Sequence, residues 1–403
     1  MDVDLKRLYT LTLQECSGPC DDGRIGRAQK FFHSLHIVAV RPPVEIGDRA
    51  VNGWEYLVKV TAGTKTTRLG QGMDHDIAKP HDRLAAWLAQ DMVAVNALIH
   101  ARMVSEHAPR IPEVTDHLIN AGGKRLRPLL TLAAARLCGY EGPYHVHLAA
   151  TVEFIHTATL LHDDVVDESE RRRGRKTANI LWNNQTAVLV GDYLFSRSFQ
   201  LMVETGSLRV LDILANASAT IAEGEVLQLT AAQDLGTTEA VYLQVVRGKT
   251  AALFSAATEV GGVIAGAPED RVRALFAYGD ALGVAFQIVD DLLDYGGTAQ
   301  AIGKNPGDDF RERKLTLPLI KAVAKADAEE RAFWQRTIAK GDQREGDLEQ
   351  ALAIMARHGA MEAARADALA WAAKARTALE PLPEHRLRIA LQDLADYVVS
   401  RVN

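Results

Sequence analysis

The chain has 403 residues, 47% hydrophobic and 24% charged, enough for one large or two ordinary domains with a substantial core. A formal net charge of −6 argues against a general nucleic-acid binder, which is normally basic. Three cysteines are too few for a disulfide framework, no apolar run reaches the roughly 18 residues of a membrane span, and no signal peptide opens the chain, so a cytoplasmic location is expected.

Residues 1–72 do not match the rest of the chain. They hold Pro42-Pro43, scattered glycines and a strand-like run from Trp54 to Val60. Cys16 and Cys20 followed by His33 and His36 come near a zinc-finger spacing, but the histidines are one residue too close and no ββα pattern surrounds them. We expect a poorly ordered extension or an over-called start here, and a single all-α domain over 73–403.

After residue 80, alanine, leucine, glutamate and arginine recur with helical spacing. The pattern predicts a helix over 82–106 and a short one leading to Gly122-Gly123, then one opened by Pro128 and running through Leu137. Further helices are predicted over 144–168, 186–204, 208–230, 237–247, 250–265 and 269–296. After a loop at 296–313, helices fill the chain to about 401. Short loops between long helices imply an antiparallel bundle.

Two helices end in the same acidic signature, Asp163-Asp164-x-x-Asp167 and Asp290-Asp291-x-x-Asp294, each after an apolar run. Residues four apart on a helix share a face, about 6 Å apart along the axis. Like charges stacked this way destabilise an isolated helix and call for a cation. Carboxylate oxygens suit Mg²⁺, which commonly shares its shell with substrate phosphates. Most single acidic runs are solvated surface; two with identical spacing point to two facing turns clamping a phosphorylated substrate.

Basic clusters accompany them. Gly122-Gly123-Lys124-Arg125-Leu126-Arg127 lies at a helix start, a favourable anion site. Arg171-Arg172-Arg173-Gly174-Arg175-Lys176 follows the first acidic turn, Gly248-Lys249-Thr250 sits at another expected helix start, and Lys304 lies in the loop after the second turn. Arginine forks grip phosphate oxygens in pairs.

These segments, with Glu153 to Asp167, Val190 to Leu194 and Phe286 to Asp294, make the chain resemble the trans-isoprenyl diphosphate synthases over about residues 82–400. Arg313 before Lys314 departs from the family, which commonly has glycine there. The resemblance implies an all-α bundle around a central cavity and two or three Mg²⁺ held by Asp163, Asp167 and Asp290, with Asp164, Asp291 and Asp294 nearby. It implies that Arg172, Lys249, Thr250, Gln287 and Lys304 contact the allylic diphosphate, farnesyl or similar. Gly123, Lys124, Arg127, His156 and Arg173 would bind isopentenyl diphosphate. A homodimer and transient membrane contact for product release are also implied.

Below the first turn, Ala158 and Thr159 are small where Phe or Tyr would form a floor. Interiors are close-packed, so a lengthening chain needs such free volume, and the resemblance implies a product of about C40–C50 for quinone side chains. Alternatives are a shorter-chain synthase, a terpene cyclase and a modulatory non-catalytic subunit. A cyclase needs neither the second pocket nor the repeated acidic turn, and a modulatory subunit usually lacks one turn. A di-iron bundle needs inward Glu-x-x-His pairs, and no matched set is present.

Overall fold

The computed structural model describes residues 79–119, 122–296 and 307–402. All belong to one compact unit spanning Asp76–Asn403. The expectations for residues 1–72 and for Lys304 fall outside the described residues.

The helical spacing produces α1 Pro80–Trp87, α2 Ala89–Met103, α3 Arg110–Ile119, α4 Leu126–Leu137 and α5 Tyr144–Val166. A two-residue hairpin comes next, β1 Arg171–Arg172 against β2 Arg175–Lys176, then α6 Ala178–Leu181, α7 Asn184–Glu204, α8 Leu208–Ala231 and α9 Glu239–Val246. A π-helical turn at Arg247–Ala251 leads into α10 Ala252–Ile264 and α11 Glu269–Gly296. The remainder is α12 Asp308–Arg311, α13 Leu317–Lys325, α14 Ala328–Trp334 with a second π turn at Gln335–Ala339, α15 Asp347–Arg357, α16 Ala360–Ala378 and α17 Arg386–Ser400. Side chains of Asn183, Ser207 and Thr238 accept backbone N–H bonds at the starts of α7, α8 and α9. Each such cap contributes about 1 kcal/mol.

Two local expectations are corrected, and one segment gains a structure that the sequence did not predict. The helix expected over 82–106 is two helices bent by 78° at Leu88. The bend keeps Leu84 and Leu88 on the same core as Val95, Ile99 and Met103. The basic run after the first acidic turn is a hairpin, because Arg173 and Gly174 both take positive φ (51° and 76°), the backbone of a tight two-residue turn. Gly248-Lys249-Thr250 does not open a helix. It lies inside the π turn that joins α9 to α10.

The centre is built by α5 and α11, which carry the two acidic signatures at their C-terminal ends. α5 packs on α4 and α7, α10 lies against α4, α8 and α11, and α16 covers the far side of α11. Phe154, Leu161, Phe254, Ile288 and Val289 are essentially solvent-free, each worth about 1.5–3 kcal/mol of apolar burial. α11 has the length and hydropathy of a membrane span, yet 67% of that window is buried. It is a core helix.

Candidate active site

At the end of α5 the three aspartates divide their work. Asp164 is fully buried, and Arg172 from the hairpin donates to its Oδ1 from both Nε and a terminal nitrogen at 2.9 Å. Asp163 and Asp167 are the more open pair. Burial pushes the Asp163 carboxyl up to about 6, against the pull of Lys249 and with Glu225 and Asp167 adding repulsion.

The second turn divides likewise. Asp291 is 4% exposed and takes a 2.6 Å bond from the Tyr242 hydroxyl and a 2.9 Å bond from Gln287 Nε2. Burial raises its pKa, and the neighbouring Asp290 raises it further. Asp294 is buried and accepts the backbone N–H of Asp309. Asp290 is exposed and lines a cavity with Lys249, Thr250, Gln287 and Lys314.

Two lysines settle how the turns are related. Lys249 Nζ stands 3.9 Å from Asp163 Oδ2 and Lys314 Nζ 3.9 Å from Asp167 Oδ2, while both lysines line the cavity that holds Asp290. The turns therefore face each other with ammonium groups between them. The carboxylate raft around Lys314, Glu312 first and then Asp167 and Asp309, outweighs its burial and raises its pKa. Lys249 is also paired with Glu225 at 2.8 Å. That pairing needs α8 and the π turn in close contact: a Cβ on Gly224 would lie 2.6 Å from the Lys249 backbone nitrogen.

Asp290 lines the cavity, Asp163 and Asp167 each stand 3.9 Å from a lysine that lines it, and these hard oxygen donors fit Mg²⁺. Among the described residues no three acidic, histidine or cysteine side chains converge as a protein-only metal cage. Mg²⁺ takes one or two carboxylates and fills its shell with water and phosphate oxygens.

Beside this cavity lies a second, strongly basic one, lined by Arg125, His156, Arg172, Arg173 and Lys176, with Glu153 as its carboxylate. Arg125 pairs with Glu153. Arg127 stacks on the Phe254 ring with its guanidinium carbon 4.4 Å from the centroid, and burial lowers its pKa to about 10. Arg127 donates to His156 Nε2 at 3.3 Å. Arginine has no acceptor, so that nitrogen keeps its lone pair and the ring is neutral, with its proton on Nδ1. Burial, then the Arg127, Arg173, Arg172 and Arg125 charges, hold the His156 pKa well below its usual range. A Cβ on Gly123 would meet the Arg173 guanidinium at 2.7 Å, so the backbone at 123 opens directly onto that charge. Lys124 is exposed, with Nζ 5.8 Å from the Tyr397 ring centroid.

This neutral histidine has a consequence for stability. The unfolded chain protonates His156 near its ordinary pKa and the folded chain does not, so below that value the unfolded state binds more protons and stability is lost as the pH is lowered. His156→Gln is expected to flatten that part of the curve. Denaturant titrations of both proteins between pH 5 and pH 8 check it; parallel curves would contradict it.

The polyprenyl synthetase family model matches residues 108–355. The octaprenyl diphosphate synthase of Escherichia coli (strain K12) is 46% identical over 313 residues, covering 78% of this chain and 96% of the relative. This chain belongs to the polyprenyl synthetase family. A decaprenyl diphosphate synthase structure from Rhodobacter capsulatus aligns with a TM-score of 0.79 at 75% identity, over 80% of this chain and all of that one. A polyprenyl synthase structure from Caulobacter crescentus, complexed with calcium and isoprenyl diphosphate, gives 0.77 at 52% identity, over 80% and 98%. This synthetase is a prenyltransferase of the long-chain trans-polyprenyl class.

In the synthetase, His156, Arg172 and Arg173 line the basic cavity, and Lys249, Thr250, Gln287, Asp290 and Asp291 line the acidic one. Ala158 is fully buried in the main core, and Thr159 turns its hydroxyl back to the His156 carbonyl at 2.9 Å. Sequence reading missed Glu225, Tyr242 and Lys314. Lys314 sits just after a visible departure from the family pattern: Arg313 takes φ 57°, the left-handed backbone that glycine adopts freely. Nothing local marks Glu225 or Tyr242, whose partners lie 24 and 49 positions away.

Proposed function

We propose that this synthetase extends an allylic primer such as farnesyl diphosphate with isopentenyl diphosphate to a product of about C40–C50, the length that supplies quinone side chains, using the small residues at 158 and 159 as an open channel. The observation that carries the reading is the pair of lysines set between two facing acidic turns, next to a separate arginine-lined pocket. One cavity suits an allylic diphosphate and the other a second diphosphate.

Arg172, Lys249, Thr250 and Gln287, joined by Lys314, hold the allylic diphosphate against the turns. Lys124, Arg127, His156 and Arg173 hold isopentenyl diphosphate, with the Gly123 backbone beside it. Asp163, Asp167 and Asp290 would hold two or three Mg²⁺, which would supply Lewis acidity to the leaving diphosphate; the calcium and isoprenyl diphosphate of the Caulobacter protein support this. Fixed cations stabilise the charge that grows on the leaving group as the C–O bond breaks. The nucleophile is the π bond of isopentenyl diphosphate, so the chain needs no nucleophilic side chain. The departed diphosphate takes the proton. Apolar walls from α5 and α11 keep water from the cation.

Arg173→Ala is expected to raise KM for isopentenyl diphosphate about ten- to a hundredfold, the ~1.5–3 kcal/mol of a hydrogen bond to a charged group. KM for the allylic primer should stay within about threefold, since a different cavity holds it. Steady-state kinetics with each substrate varied in turn separate the two, and equal rises would contradict the two-pocket assignment.

A homodimer is part of the proposal. Val188, Leu189, Phe199 and Val203 leave an apolar face along α7, Leu189 being 66% and Val203 64% exposed, a surface that association would cover. A cytoplasmic location, with transient membrane contact to release the product, completes the reading. Incubation with Mg²⁺, farnesyl diphosphate and isopentenyl diphosphate, with chromatography of the dephosphorylated lipids, tests it. Linear polyprenols near C40–C50 are expected; a cyclised hydrocarbon or a single condensation would overturn it.

A further inference from the structure

The second acidic turn is tied into the bundle by a chain of hydrogen bonds that the reaction itself does not explain. Thr250, in the π turn, donates to Gln287 Oε1 at 2.8 Å. Having accepted there, the Gln287 amide must present its nitrogen to Asp291 Oδ1, which it does at 2.9 Å. Tyr242, one helix earlier, closes the chain with its hydroxyl 2.6 Å from Asp291 Oδ2. The Leu317 backbone N–H at the start of α13 also donates to this carboxylate. Asp291 is thus held directly from two elements besides its own helix, and through Gln287 from the π turn, and it is 4% exposed. The neighbouring Asp290 is the one exposed to the cavity. Tyr242 is 5% exposed and anchored by ring burial, so its hydroxyl is a rigid donor.

We infer that Tyr242 is a positioning residue: through Asp291 its hydroxyl sets the orientation of Gln287 and Thr250, and the register of Asp290, toward the allylic diphosphate. Asp291, Gln287, Thr250 and Tyr242 act as one unit. All four members line the cavity beside Lys249 and Lys314, with the Tyr242 hydroxyl directed at Asp291, so a carboxylate free to rotate would release Gln287 and Thr250. The isopentenyl pocket has no member in this chain and should not feel its loss. The inference rests on the prenyl-transfer reading.

Tyr242→Phe keeps the ring and removes only the donor. It is expected to lower kcat about tenfold and to weaken the Mg²⁺ half-saturation, with KM for isopentenyl diphosphate within about twofold of the parent. A merely structural loss would not split the parameters this way. The decisive comparison is the cycle of Tyr242→Phe, Asp291→Asn and the double variant, read as kcat well below the lowest unfolding midpoint of the set. If the tyrosine acts through Asp291, the double variant is no slower than Asp291→Asn alone. Factors that multiply, an unchanged kcat in Tyr242→Phe, or an equal rise in every KM would overturn the inference while leaving prenyl transfer intact. Failure of the parent enzyme to elongate farnesyl diphosphate would instead remove the reading beneath it.

Discussion

Asp163→Asn is expected to lower kcat by roughly a thousandfold, about 4 kcal/mol of transition-state stabilisation, while leaving the protein at least as stable as the parent. The amide is nearly isosteric, but it loses the charge that would hold a divalent ion and pair with Lys249. The stability half of the expectation comes from the crowding of Asp163 by burial, Glu225 and Asp167, which raises its carboxyl to about 6. The folded state therefore holds more protons than the unfolded one between the ordinary aspartate value and about 6, and stability falls as pH rises through that window. Above it the ionised carboxylate is a standing destabilisation, which asparagine removes. Thermal unfolding at about pH 7.5 without divalent ions should show an unchanged or higher midpoint. A variant that loses activity only because it unfolds would contradict this account. Such a trade of stability for chemistry is what a site built from like charges implies.

Ala158→Tyr is expected to shorten the product from about C40–C50 to about C15–C20 without abolishing turnover, because the aromatic ring would block the path along α5 that the growing chain has to open between packed side chains. Ala158 is fully buried on α5, five residues before Asp163, and Ile155 below it packs among α8 and α10 side chains. Overfilling a tightly packed position costs typically about 1–3 kcal/mol, so the unfolding midpoint should be measured alongside the product profile. A shortened product at a modest loss of stability supports the channel. Unchanged product length would show that the chain does not pass Ala158, and a collapsed midpoint with no product would show that no channel exists there.

The acidic turns were legible because helical spacing alone puts residues 163 and 167, and 290 and 294, on shared faces. The apolar runs before them announced buried helices, and α5 and α11 are both central. Spacing could not show that the two turns meet. That meeting is set by Lys249 and Lys314, which are far apart in the chain and come together only through packing. Nor does sequence predict the π turn at Arg247–Ala251, since Gly248 reads as an ordinary helix boundary. There the Gly224 and Gly248 backbones approach so closely that a Cβ on Gly248 would lie 2.8 Å from the Gly224 Cα. The bend at Leu88 carries no proline or glycine to announce it and arises from the need to bury both halves of the segment. Asp164 and Asp291 look identical to their neighbours in sequence, yet burial turns both into anchors, one for Arg172 and one for the Tyr242 chain.

A crystal structure of the enzyme with Mg²⁺ and farnesyl thiodiphosphate, whose sulfur bridge resists cleavage, tests the central claim most directly. The account expects the diphosphate between α5 and α11, with ions on Asp163 and Asp167 at one side and on Asp290 at the other, and Lys249 touching its oxygens. A diphosphate bound with ions at one turn only, or seated away from Lys249 and Lys314, would contradict it.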